Sequence, residues 1–149
     1  MTNYIAQNIR RAGDWHTGFE HCVLTYDDRF LRRKVVRTVN GGTVLVDLKH
    51  TVSLNPGDAF ELTDGRYIGI TAAKEPLFSV TGQDLTRLAW HIGNRHTPCQ
   101  IGPDRLVIQQ DHVIREMLER LDASVAEIFE PFLPEGGAYG YGRTHGHNH

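Results

Sequence analysis

From Glu20 to about Lys74, apolar residues come in short β-branched runs broken by turn residues, and no stretch holds a 3.6-residue period long enough for a helix. The pattern predicts an all-β unit. Lys34 to Val39 and Thr43 to Leu48 flank Asn40-Gly41-Gly42, a hairpin signal because Asn and Gly both accept positive φ. Asp64-Gly65 repeats that signal between Ala59 to Leu62 and Tyr67 to Ile70. Asn55-Pro56-Gly57-Asp58 reads as a turn, with Pro setting φ and Gly supplying the left-handed position.

Past Ala72-Ala73-Lys74-Glu75-Pro76, read as a linker, the period lengthens. Leu77 to Val80 is a strand. Thr81 then stands as an N-cap with Asp84 three residues on, and Leu85, Leu88, Ala89 and Ile92 form one apolar stripe that Gly93-Asn94 ends. Pro98 to Ile101 and Arg105 to Gln109 flank the turn Gly102-Pro103-Asp104. Asp111 caps a second helix with Ile114, Met117, Leu118 and Leu121 on its apolar face, and Ser124 to Phe129 is a last strand. The expected fold class is therefore α+β: an N-terminal all-β domain over residues 1–74, a ferredoxin-like βαββαβ domain over 75–130, and a flexible His-containing tail over 131–149. Domains this small have thin cores, so burial of a shared face in a dimer is expected.

Composition narrows the function classes. With 16 Lys+Arg against 18 Asp+Glu, the 149-residue chain has a net charge of −2, which argues against a general nucleic-acid footprint. Arg29, Arg32, Arg33, Lys34 and Arg37 are a local basic run, read as the solvated outer face of a strand or a contact for an acidic partner. Apolar runs such as Val44-Leu45-Val46 fall far short of the roughly 18 to 20 residues a membrane span needs. Met1 to Gln7 lacks the layout of a secretory signal, and Cys22 and Cys99 cannot make a disulfide framework, so reduced thiols and a cytoplasmic location are expected.

Nine histidines are the unusual feature. His145, His147 and His149 end the chain, alternating with small or polar residues, so three imidazoles can converge on one ion; the bland reading is an affinity tag or an idle tail, although tags are usually uninterrupted. Imidazole suits nickel, copper, zinc and iron. His96 lies in the loop after the first helix and, as a lone ligand, needs a tail residue or a second copy of itself across a two-fold axis. His112 follows the Asp111 cap and reads either as a helix-start residue or as a ligand. His91, His16, His21 and His50 read as surface or satisfied residues, and Cys99 as a small buried hydrophobe. No P-loop, His-Glu-x-x-His helix, nucleophile elbow or dinucleotide fingerprint occurs.

The stretch Leu88-Ala89-Trp90-His91-Ile92-Gly93-Asn94-Arg95-His96-Thr97-Pro98-Cys99-Gln100, then Asp111-His112-Val113-Ile114 with Met117-Leu118, then Pro131-Phe132 and Glu135-Gly136-Gly137-Ala138-Tyr139-Gly140 before the His-ending tail, taken together, resemble the UreE family of urease accessory proteins. The β-rich half matches more by pattern than by motif. The resemblance implies a cytoplasmic homodimeric nickel metallochaperone, not itself an enzyme, that delivers Ni²⁺ to the urease apoprotein with its accessory proteins, including the accessory GTPase. It implies a peptide-binding-like first domain. His96 matches the family's central ligand, given by both subunits, and His112 a secondary one; Gln110 stands where some members have another His. Cu²⁺ and Zn²⁺ are expected to compete in vitro. Two other functions remain open on the residues alone: a peptide- or protein-binding module with incidental metal binding, and a metal-dependent hydrolase using His96, His112 and Asp111.

Overall fold

The computed structural model describes residues 2–136, and its chain divides into two compact units that meet between Ala73 and Lys74. The first is all β. Its strands are β1 (Asn3–Arg10), β2 (Glu20–Leu24), β3 (Phe30–Arg37), β4 (Thr43–Ser53), β5 (Ala59–Leu62) and β6 (Tyr67–Ala72), with one 3-10 turn at Asp27–Arg29. They form a single sheet in the order β2-β6-β5-β1-β4-β3. Pairing is parallel for β1 with β4 and for β2 with β6, and antiparallel elsewhere. Val44, Val46, Leu48, Phe60, Leu62, Ile68 and Ile70 alternate inward to make the core, each fully removed apolar side chain contributing about 1.5–3 kcal/mol.

Both Gly turns form, with Gly41 at φ 90° and Gly65 at φ 89°. The third turn is held from within the fold. Asp58, 1 % exposed, accepts from Asn55 N at 2.8 Å, Ala12 N at 3.0 Å and Arg11 Nη1 at 2.8 Å, joining the turn to the end of β1. Strand β1 lies outside the sequence reading, because only Ala6 of its eight residues is buried; pairing on both sides, not a hydrophobic face, makes it a strand. The basic run divides as well. Arg32, Arg33, Lys34 and Arg37 are exposed, but Arg29 is 2 % exposed, with Nη1 donating to Leu24 O at 2.9 Å and the guanidinium 5.7 Å from the Tyr26 ring.

The second unit runs β7 (Lys74–Thr81), α1 (Leu85–Asn94), β8 (Gln100–Ile101), β9 (Leu106–Gln109), α2 (His112–Arg120) and β10 (Ser124–Pro131). Its sheet order is β10-β7-β9-β8, antiparallel throughout. Leu88 and Ile92 of α1 and Ile114 and Leu118 of α2 pack with Phe78, Val80, Leu106 and Ile108, so both helices cover one face of the sheet. Helices of ten and nine residues are marginal alone; this burial holds them.

Four local expectations change. The presumed linker is a single residue, Ala73, since β6 ends at Ala72 and β7 begins at Lys74. Thr81 is not a cap: it pairs with Ser124, and Asp84 caps α1 by accepting from Arg87 N at 3.1 Å. Gly93 and Asn94 do not stop α1 but belong to it. Pro131 and Phe132, read as the start of the flexible tail, are held: Pro131 pairs with Lys74 and Phe132 is fully buried.

Candidate metal-binding site

Helix α1 ends just before His96. Arg95 is the cap, His96 follows at φ 56°, His96 N donates to Gly93 O at 2.9 Å, and Thr97 N reaches Ile92 O at 3.4 Å. This is a Schellman end, whose left-handed position is normally filled by Gly. Placing a Cβ there costs about 1–2 kcal/mol, although His, Asn and Asp tolerate it better than most residues. Helix α2 ends the same way, with Asp122 at φ 63°, Asp122 N to Glu119 O at 3.1 Å and Ala123 N to Leu118 O at 3.0 Å. His96 is exposed, so the strained backbone presents its imidazole to solvent.

His112 opens α2, beside Asp111, whose Oδ1 accepts from Val113 N at 2.8 Å and Ile114 N at 3.1 Å. That capping role engages one oxygen of the acid which the hydrolase reading needs. His112 is also exposed. Gln110 donates from Nε2 to Leu77 O at 3.3 Å. His91 is half-buried, its ring edge-on to Trp90 with centroids 5.1 Å apart. Together with Arg95, Val113, Glu116 and Met117 it lines a groove of about 370 Å³ between the two helices. Beside this groove Trp90 is 63 % and Val113 60 % exposed, large apolar side chains that a partner surface would cover.

The chain after β10 returns toward this loop. Leu133 N donates to the Gln100 side-chain oxygen and Glu135 N to Cys99 O, both at 2.9 Å, while Arg105 holds Glu130 at 2.7 Å. The start of the His-bearing segment is thus tied three residues from His96. His145, His147 and His149 lie outside the described residues. Cys99 is half-buried beside the core, and burial, followed by the nearby Glu135 charge, pushes its thiol up to about 11. Burial raises Cys22 to about 12. A cysteine ligates metal as its thiolate, and burial disfavours that form in both cysteines while no metal is bound. Among the described residues no three His, Cys, Asp or Glu side chains converge to hold one ion. Among the described residues, His96 and His112 are exposed imidazoles that belong to no such group.

Two family models match this chain: the N-terminal domain of the UreE urease accessory protein over residues 2–73, and its C-terminal domain over residues 75–149. Among curated relatives, a protein of Ruegeria pomeroyi named urease accessory protein UreE is 62 % identical over 143 residues, covering 96 % of each chain. One of the same name from Rhodobacter capsulatus is 54 % identical over 97 % of this chain and 92 % of its own length. A third, from Cereibacter sphaeroides, is 55 % identical over 97 % of this chain and 79 % of its own.

Proposed function

From the premise that this chain belongs to the UreE family of urease accessory proteins, and so serves urease maturation, we propose that it is a cytoplasmic nickel metallochaperone that carries Ni²⁺ to the urease apoprotein. His96 is the central ligand. The observation that carries this reading is its placement: an exposed imidazole on a left-handed backbone position where Gly would be less strained. One imidazole does not hold nickel, so a homodimer supplies His96 twice across its axis, with Trp90 and Val113 offering the apolar surface for that contact. His112 is a secondary ligand. His145, His147 and His149 complete the coordination or add weaker capacity.

The domain reading is one with this role: residues 1–74 a peptide-binding-like β domain, 75–130 a ferredoxin-like domain, and 131–149 the His-bearing tail. The ferredoxin-like assignment is supported by the βαββαβ order and the antiparallel arrangement in which the fourth strand lies beside the first. Nickel is cargo here, bound by imidazoles without fixed thiolates, a set that binds firmly yet can let go. Cu²⁺ binds at least as tightly and Zn²⁺ competes, so selectivity belongs to supply and to the partner complex, which includes the accessory GTPase.

The test is transfer. Nickel-loaded chain is mixed with urease apoprotein and its other accessory proteins, and urease activity and bound nickel are read together. The wild type raises both; His96→Ala, loaded from the same nickel pool, raises neither above the level given by free nickel. Equal activation by the two proteins would contradict the role given to His96.

A further inference from the structure

Strand β3 ends its sheet, with β4 as its pairing partner on one side. Thr38 N donates to Gly42 O at 2.9 Å, which fixes the hydrogen-bonding parity of the hairpin. Val36 and Lys34, two and four residues back, turn their backbone groups toward β4, opposite Val44 and Val46. Arg33, Val35 and Arg37 therefore turn theirs to the outer edge. The same alternation puts these three side chains together on the face opposite buried Val36. At Val39, the next position of that parity, the backbone N donates to His21 O at 3.0 Å, tying the end of the edge to β2.

This edge is long and exposed. Val35 is 62 % exposed between two cations, and Arg33 keeps 58 % side-chain exposure while paired with Asp47 at 3.2 Å. Charge on an edge strand commonly deters pairing with other chains, because an incoming neutral or basic strand would have to desolvate it. An acidic strand meets the opposite situation. Each backbone pair it forms brings its alternate side chains against Arg33, Val35 and Arg37, in cross-strand contacts that reward unlike charges and apolar matches.

We propose that the outer edge of β3 is a docking site for an extended segment of a partner protein, added as a further strand and carrying acid, apolar residue and acid at alternate positions opposite Arg33, Val35 and Arg37. Specificity comes from those three positions and affinity from the main chain. The inference does not depend on nickel, so metal-free protein suffices to test it.

The probe is the acetylated, amidated peptide Thr-Thr-Glu-Thr-Val-Thr-Glu-Thr-Thr, titrated into the ¹⁵N-labelled full chain. Amide shifts and slowed hydrogen exchange are expected at Arg33, Val35 and Arg37. Methylating alternate peptide nitrogens, or replacing both Glu by Lys, weakens binding at least tenfold. Arg37→Glu, whose spectrum elsewhere reports an intact fold, loses the acidic peptide and regains binding when the facing Glu becomes Lys. The proposal is overturned if the shifts fall elsewhere, if N-methylation has no effect, or if the reversed charge pair fails to recover. It is equally overturned if the edge amides respond to protein concentration without peptide, which would make a second copy of this chain the occupant.

Discussion

Comparing His96→Gly with His96→Ala isolates the backbone cost of the proposed ligand position. Both changes remove the imidazole and every contact it makes, so their difference reports what a Cβ does at φ 56°. The left-handed conformation costs a residue with a Cβ about 1–2 kcal/mol. Glycine gives back about 0.5–1 kcal/mol through the greater freedom of its unfolded chain. Gly is therefore expected to be more stable than Ala by about 0.5–1 kcal/mol, a melting difference of about 2–8 °C for a unit of this size. The sign is opposite to that of a helix interior, where Ala wins by about 1 kcal/mol. Asp122, at φ 63° in the matching position of α2, supplies the control: Asp122→Gly should exceed Asp122→Ala by a similar margin, with nickel binding unchanged. Urea unfolding of metal-free protein followed by circular dichroism reads both pairs. If His96→Ala equals or exceeds His96→Gly, the position is not strained, and the argument that a ligand is kept there at a cost to stability fails.

Asp58→Ala should destabilise the first unit by about 3–5 kcal/mol, because the half-buried Arg11 guanidinium and the amides of Ala12 and Asn55 lose their charged acceptor together; a loss under about 1 kcal/mol in denaturant titration would show that water replaces it. The raised cysteine thiols predict slow alkylation of the folded protein: at pH 8 about one Cys99 in a thousand is thiolate, with the rate climbing roughly tenfold per pH unit toward about 11. Iodoacetamide labelling followed by mass spectrometry checks this. Fast labelling at pH 8, or thiolate-to-nickel charge-transfer bands in the loaded protein, would overturn this and add Cys99 to the ligand set.

Much of the fold is legible where local chemistry and burial agree. Asn40-Gly41-Gly42 and Asp64-Gly65 form the expected turns, and the stripes Leu88/Ile92 and Ile114/Leu118 face the second core. Legibility ends where pairing outweighs pattern. Strand β1 buries one residue of eight, and β4 continues past Leu48 through exposed Lys49, His50 and Thr51 because Val52 and Ser53 pair with Leu31 and Phe30. Thr81 has good cap chemistry but is held in the ladder, which leaves capping to Asp84. Asp58 reads as a turn residue, and only the fold reveals its tie to Arg11. His96 was legible as a loop imidazole after a helix. Its left-handed backbone was not, since Gly93 and Asn94 offered the more obvious stop.

Nickel stoichiometry tests the central claim most directly. Calorimetric titration of Ni²⁺ into wild type, His96→Ala and His96→Gly, each with its solution mass measured at the same concentration, reads site number and assembly together. The account predicts one tight nickel per two chains in a dimeric wild type, and loss of that site in both variants while the dimer persists. A tight site of unchanged stoichiometry in either variant would contradict it.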